Sequence, residues 1–269
     1  MLSVIVVNYN TSKKVLNLID SIKKNPPRDE YEIIDVDNNS CKEEKALLKN
    51  AQATIVFSDE NGGFSKGNNT GFKESKGDDL LFLNPDPLML ENTLDRCLDF
   101  LKERSDVGAV GCRVVLKDGT LDYACKRSLP TLSNTLGHYL GLNGKIKRFS
   151  GYRRLDIKDD AVAPVTCLVG AFMMMPREVF VNVGMFCTDY FMYGEDVDLC
   201  YNIINSGYKI YYLGDCRIIH EKGASSKNNT FARKAFYDSM KIYYNKHKKN
   251  KKFDFLVNAG IGIARKLNL

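Results

Sequence analysis

Four short runs set the terms for any fold of this chain: Ser3–Val7, Tyr31–Val36, Thr54–Phe57 and Asp79–Leu83, each dominated by β-branched or apolar residues. Between them lie stretches with helical spacing, as in the stripe Val15, Leu16, Leu18, Ile19 and Ile22. Strands alternating with helices predict parallel β-α-β units, because parallel strands need a long crossover connection. The predicted class is therefore α/β, with helices covering a central sheet. Thr11 or Ser12 is expected to cap the first helix, Pro26-Pro27 to end it, and Ser40 to cap the second.

Such sheets bind ligands beyond the carboxyl ends of their strands. Asn8-Tyr9-Asn10, Asp37-Asn38-Asn39, Asn61-Gly62-Gly63 and Asn84-Pro85-Asp86 all fall just past a predicted strand end. Four strand ends thus converge on one polar edge. The middle of the chain reads less regularly. A helix is expected over Asn92–Glu103, and two strands over Val107–Gly111 and Arg113–Leu116, followed by a turn at Lys117-Asp118-Gly119-Thr120. Residues 123–160 show no pattern and read as a variable loop region. Val165–Met175 predicts a buried strand, Glu178–Val183 a short helix, Asp196–Ser206 another, and Lys209–Leu213 and Cys216–Ile219 two short strands.

Several segments carry chemistry. Pro85 and Pro87 hold Asp86 rigidly at the sheet edge, where it reads as a turn residue or as a ligand for a hard divalent cation. The loop 61–71 is rich in glycine, Gly63 included, and carries Lys66 and Asn69 at a helix start. It suits an anion such as a diphosphate, yet matches neither common nucleotide-binding glycine fingerprint. Asp37 can accept hydrogen bonds from a base or ribose. Asp35 stands where an apolar residue is expected, as a solvated edge position or a paired buried group. His220 closes a strand, either as a structural residue or as a further metal ligand. In Tyr193-Gly194-Glu195-Asp196-Val197-Asp198, three carboxylates follow a glycine at a helix start. Capping and catalysis are both open there, since the helix dipole favours acids in the first turn.

Six segments together resemble the family 2 glycosyltransferases: residues 3–10, 36–40, 61–71, 83–86, 170–175 and 193–199. The Leu83-Asn84-Pro85-Asp86 variant looks most like the branch holding bacterial rhamnosyltransferases of surface-polysaccharide assembly. The resemblance implies a GT-A fold over residues 1–225, an inverting mechanism and use of Mn²⁺ or Mg²⁺. By position, it implies that Asn8, Tyr9, Asn10 and Asp37 hold the nucleotide base, and that Gly63, Lys66, Asn69 and Asn84 lie near the nucleotide sugar. Asp86 matches the last acid of the family's metal motif, whose first acid is Asn84 here, and His220 matches a late metal ligand. Asp196 matches the catalytic base, with Glu195 its acceptor-side neighbour, leaving Asp198 as helix capping. The implied donor is a nucleotide sugar, with dTDP-rhamnose first and a UDP-sugar (galactofuranose, glucose or GlcNAc) the alternative; the alternative to an enzyme is a catalytically silent nucleotide-sugar-binding partner. The implied acceptor is a glycan or a polyprenyl-diphosphate-linked sugar.

Charge separates the two ends. Residues 226–269 hold eleven Lys/Arg against two Asp, whereas residues 1–225 hold 28 basic and 31 acidic residues. A nearly neutral body argues against nucleic acid as a partner, and the basic helical tail suggests contact with an anionic membrane. An amphipathic helix is expected over residues 231–247, followed by a basic cluster at 248–252; His138 and His247 receive no role. The eight scattered Cys, with no C-x-x-C pair, suit reduced thiols in a cytoplasmic protein. The amino-terminal run lacks the basic flank and length of a signal peptide.

Overall fold

The computed structural model describes residues 1–131, 151–220, 230–248 and 254–267. The expected boundary at 225, His138 and most of the basic cluster lie outside the described residues. The predicted alternation is present: β1 (Leu2–Asn8), α1 (Ser12–Lys24), β2 (Tyr31–Asp37), α2 (Lys42–Leu48), β3 (Thr54–Phe57), α3 (Gly63–Glu74) and β4 (Asp79–Leu83). These strands pair in parallel in the order β3-β2-β1-β4. β1 is buried on both faces, which explains its unbroken apolar run rather than an alternating one.

Beyond β4 the sheet changes character. Short β5 (Pro87–Met89) precedes α4 (Thr93–Lys102), and β6 (Val107–Leu116) follows. Then come β7 (Val162–Val165), β8 (Phe172–Pro176), α5 (Arg177–Asn182), α6 (Glu195–Asn205) and β9 (Lys209–His220). β8 inserts antiparallel between β4 and β6, and β9 pairs parallel to β6 but antiparallel to β5 and β7. The chain ends in α7 (Thr230–Tyr243), a π-helical turn (Tyr244–Lys248) and α8 (Asp254–Leu267).

Three expectations change at this level. The two strand pairs predicted around 107–116 and 209–219 are each one strand, β6 and β9, with a register shift between Cys112 and Arg113. That irregularity is what the sequence presents as a break. The apolar stretch 165–175 is not one strand; residues 166–171 form a buried connection between β7 and β8. Neither Thr11 nor Ser40 caps a helix through its side chain. Ser40 Oγ instead accepts the Asn10 N–H at 2.8 Å, tying the ends of β1 and β2 together.

The core lies on both faces of the sheet. On the α3 face, glycines permit contact: a Cβ on Gly71 would sit 2.5 Å from Ile5 Cγ2, and one on Gly67 2.7 Å from Val7 Cγ1. Phe72, Phe82, Phe180 and Phe186 interlock edge to face and tilted, with centroids 4.6–5.5 Å apart, joining α3, β4 and α5. No helix among the described residues is long and apolar enough to cross a membrane.

Candidate active site

The site grows from adjacent strand ends. Asn8 and Asp37 are partners in register where β1 and β2 finish. Asp37 is fully buried; Oδ1 accepts the Ser40 N–H at 2.9 Å, and Oδ2 has no hydrogen-bond partner among the described residues. A buried carboxylate oxygen without a donor is costly, so this one is suited to a ligand N–H. Asn10 adopts φ 54°, and its Oδ1 accepts the Cys41 N–H at 2.9 Å, so it shapes the loop rather than reaching out. Tyr9 stands 51% exposed above the edge. Beside it, a cavity of about 540 Å³ opens between β3 and α3, lined by Asn38, Phe57, Ser58, Lys66, Gly67 and Thr70 among others. That is the size of small-ligand sites.

Asp35 resolves to the paired buried group. It is fully buried, and Asn8 Nδ2 donates to its Oδ2 at 2.8 Å. Burial pushes its carboxyl up to about 7, against the pull of the Asn8 hydrogen bond and with a contribution from Asp37. Asp35 thus fixes the side chain of Asn8 at the strand end.

Two members of the glycine-rich loop make close contacts within the chain. Gly63 has φ +76°, and a Cβ there would meet the Phe191 carbonyl oxygen at 2.1 Å. The close approach its glycine permits is by the chain's own loop before α6, where Phe64 N–H donates to Phe191 O at 2.8 Å. Asn69 bonds both ways to Phe186, donating to the carbonyl at 2.8 Å and accepting the N–H at 3.2 Å, and so ties α3 to the segment after α5. Lys66 is ion-paired with Glu60 at the rim of the cavity.

On the other side of β4, Asp86 meets His220 because Pro87 and His220 are register partners on β5 and β9. His220 Nε2 lies 3.0 Å from Asp86 Oδ1, and Lys14 Nζ lies 3.5 Å from Oδ2. Burial alone would raise Asp86, but His220 and Lys14 outweigh it and hold the carboxyl below its usual range. The far nitrogen, His220 Nδ1, lies 4.0 Å from Asp122 Oδ2. An oxygen and an imidazole nitrogen side by side, with a second carboxylate behind the ring, suit Mn²⁺ or Mg²⁺.

The acidic turn forms the third part. Tyr193 (φ 68°) and Gly194 (φ 84°) both adopt left-handed conformations, and α6 begins at Glu195. Asp196 Oδ2 accepts from Arg127 Nη2 at 2.7 Å and from the Gly170 N–H at 3.2 Å. Glu195 differs: it is buried, Oε2 has no hydrogen-bond partner among the described residues, and burial with the charge of Asp196 raises its carboxyl. The two neighbouring acids therefore differ in their surroundings: Asp196 is paired with Arg127, whereas Glu195 is buried with one oxygen unpartnered and its carboxyl raised. Asp198, expected as a cap, makes no such bond. It is fully buried and held by Tyr190, Lys246 and His247.

Short bridges connect these parts. Asn84 N–H donates to Ala171 O at 3.3 Å while the neighbouring Gly170 N–H binds Asp196, so residues 170–171 span the metal-side loop and the acidic turn. The segment after β6 does the same, with Asp122 near His220 and Arg127 on Asp196. Both residues escaped sequence reading, since the segment from 123 has neither strand nor helix periodicity.

Residues 3–184 match the family described as Glycosyl transferase family 2. The chain belongs to that family. It is a glycosyltransferase of GT-A fold. It is 27% identical over 245 residues to the rhamnosyltransferase WbbL of Escherichia coli strain K12, covering 88% of each chain. It is 29% identical over 148 residues to an N-acetylglucosaminyl-diphospho-decaprenol L-rhamnosyltransferase of Mycobacterium tuberculosis, covering 55% of this glycosyltransferase and 48% of that relative. Among solved structures, GalNAc-T7 with UDP, GalNAc and Mn²⁺ superposes with a TM-score of 0.65 at 17% identity, over 92% of this chain and 49% of that one. The glycosyltransferase thus spans about half the length of these last two proteins.

Proposed function

We propose that this glycosyltransferase moves rhamnose from dTDP-rhamnose to a hydroxyl of a lipid-linked glycan in the synthesis of a bacterial surface polysaccharide. Similarity to two rhamnosyltransferases supports the donor, and the decaprenol-linked acceptor of one of them supports the acceptor class. Residues 1–225 carry donor binding and chemistry at the cytoplasmic face of the membrane. The exposed Phe231, Phe236 and Lys241 of α7 suit peripheral contact with an anionic bilayer.

Asp37 Oδ2 accepts from the nucleobase, and Asn8, positioned by Asp35, packs beside it. Asn84 and Lys66 flank the sugar diphosphate. Asp86 and His220 would hold Mn²⁺ or Mg²⁺, and the ion, when bound, offsets the charge of the diphosphate leaving group. Asp196 takes the proton of the acceptor hydroxyl as that oxygen attacks the anomeric carbon from the face opposite the leaving group, inverting its configuration. Arg127 and the Gly170 amide keep Asp196 aimed. Glu195 orients the acceptor. The observation that carries this assignment is the contrast between the two acids: one held by Arg127, the other buried without a donor.

One observation favours a second reading. The raised carboxyl of Glu195 also suits a general base near neutral pH, in which case Glu195→Gln costs more turnover than Asp196→Asn. For the donor, a thermal-shift series with dTDP-, UDP- and GDP-sugars, with and without Mn²⁺, is the test. The largest Mn²⁺-dependent stabilisation is expected from dTDP-rhamnose; a larger one from a UDP-sugar replaces that donor.

A further inference from the structure

The acidic turn does not hold itself. Tyr193 is a non-glycine residue at φ 68° and Gly194 follows at 84°, two consecutive left-handed positions directly before Glu195. A bulky aromatic in that region is strained and persists only where its surroundings enforce it. The N-cap Gly194 has no side chain to cap this end of α6. Part of what surrounds the turn comes from the other end of the sequence. Ser239 Oγ lies 3.1 Å from Met192 O, and a Cβ on Gly194 would come within 3.2 Å of Ser239 Cβ. Phe231 and Phe236 meet Phe191 and Tyr193 edge-on, with centroids 5.3 and 6.0 Å apart.

A second hold lies one turn further along α6. Asp198 has no exposed surface, and a carboxylate taken fully from water is destabilising by several kcal/mol unless it is paired. Both of its cationic or imidazole partners come from the π-helical turn: His247 Nε2 at 2.6 Å and Lys246 Nζ at 2.9 Å. The His247 ring is itself stacked on Tyr201 of α6 at 4.0 Å between centroids. Among the described residues of the body, the side-chain contacts that remain are the longer ones from Tyr190 and Asn202, at 3.2 and 3.5 Å.

We propose that residues 230–248 are a brace for the acidic turn, with His247 and Lys246 as positioning residues that hold Asp198 and thereby fix Glu195 and Asp196. The catalytic consequence rests on the reading of those two acids given above; the mechanical claim does not. The carboxy-terminal segment is then part of the active-site framework, and the basic tail acts on chemistry through Asp198 even though it touches no substrate.

Hydrogen–deuterium exchange on the full chain separates the two claims. In His247→Ala, amides of residues 190–202 are expected to exchange about tenfold faster, with β1 and β4 unchanged. His247→Gln, which keeps an N–H near the Nε2 position, restores most of the protection. Lys241→Gln, an exposed change on α7, leaves it as in the wild type. Should His247→Ala not fold, Lys246→Met removes one donor from a half-exposed side chain and tests the same point. Unchanged protection over residues 190–202 in the folded His247→Ala or Lys246→Met chain overturns the brace. Where protection is lost, turnover with dTDP-rhamnose is expected to fall about 10–100-fold at unchanged donor KM. Lost protection with full turnover keeps the brace and removes the assigned roles of Glu195 and Asp196.

Discussion

The donor side and the carboxylate side of this glycosyltransferase position their polar residues by different means. On the donor side, Asn8, Asp37 and Asn84 sit at or just past the ends of adjacent strands, placed by backbone register. On the carboxylate side, two of the three acids are held by side chains far away in sequence: Asp196 by Arg127, 69 residues earlier, and Asp198 by His247, 49 residues later. A site built on strand ends keeps its geometry if a neighbouring side chain changes. A site built on paired side chains does not, and this predicts that binding and chemistry respond separately to substitution.

The largest expected effect lies on the carboxylate side. Asp196→Asn should lower transfer about 10²–10⁴-fold, the usual range for a positioned base, read as sugar transfer under saturating donor. Near-normal turnover would remove Asp196 from the base role. On the donor side, Asp86→Ala should weaken nucleotide-sugar binding in Mn²⁺ about 10–100-fold, with little change when metal is withheld. Equal affinity in Mn²⁺ would dissociate the Asp86–His220 pair from metal binding.

The smallest effect concerns stability. The carboxyl of Asp35 titrates at about 7 in the fold but near 3.8 when exposed. Its contribution to stability is full below the lower value, declines as pH rises through that window and is gone above about 7. Asp35→Asn does not titrate, so its stability relative to wild type should improve by about 2–4 kcal/mol between roughly pH 4 and pH 8. Urea unfolding at the two pH values measures it, and a pH-independent difference would show that Asp35 is ionised in the fold.

The same contrast explains what could be read in the sequence. Strand ends announce themselves through apolar runs that stop, so Asn8, Asp37, Asn84 and Asp86 are found by pattern alone. The acidic turn is visible as a cluster, but the different surroundings of its members depend on Arg127, Gly170 and His247. None of these carries a local signal: Arg127 lies in an aperiodic segment and His247 in a lysine-rich tail. The bonds of Asn69 to Phe186 are equally invisible in sequence, since a polar residue on a phosphate-like loop shows nothing of a partner 117 residues away. Asp198 looks like a cap because its position in the first turn shows only the dipole, not the buried partners that hold it.

Calorimetric titration of dTDP-rhamnose in Mn²⁺ into the Asp196→Asn chain, beside its transfer rate, tests the separation of binding from chemistry most directly. The account predicts donor affinity within about twofold of wild type and transfer reduced at least about a hundredfold. Weakened donor binding with transfer largely retained would contradict it.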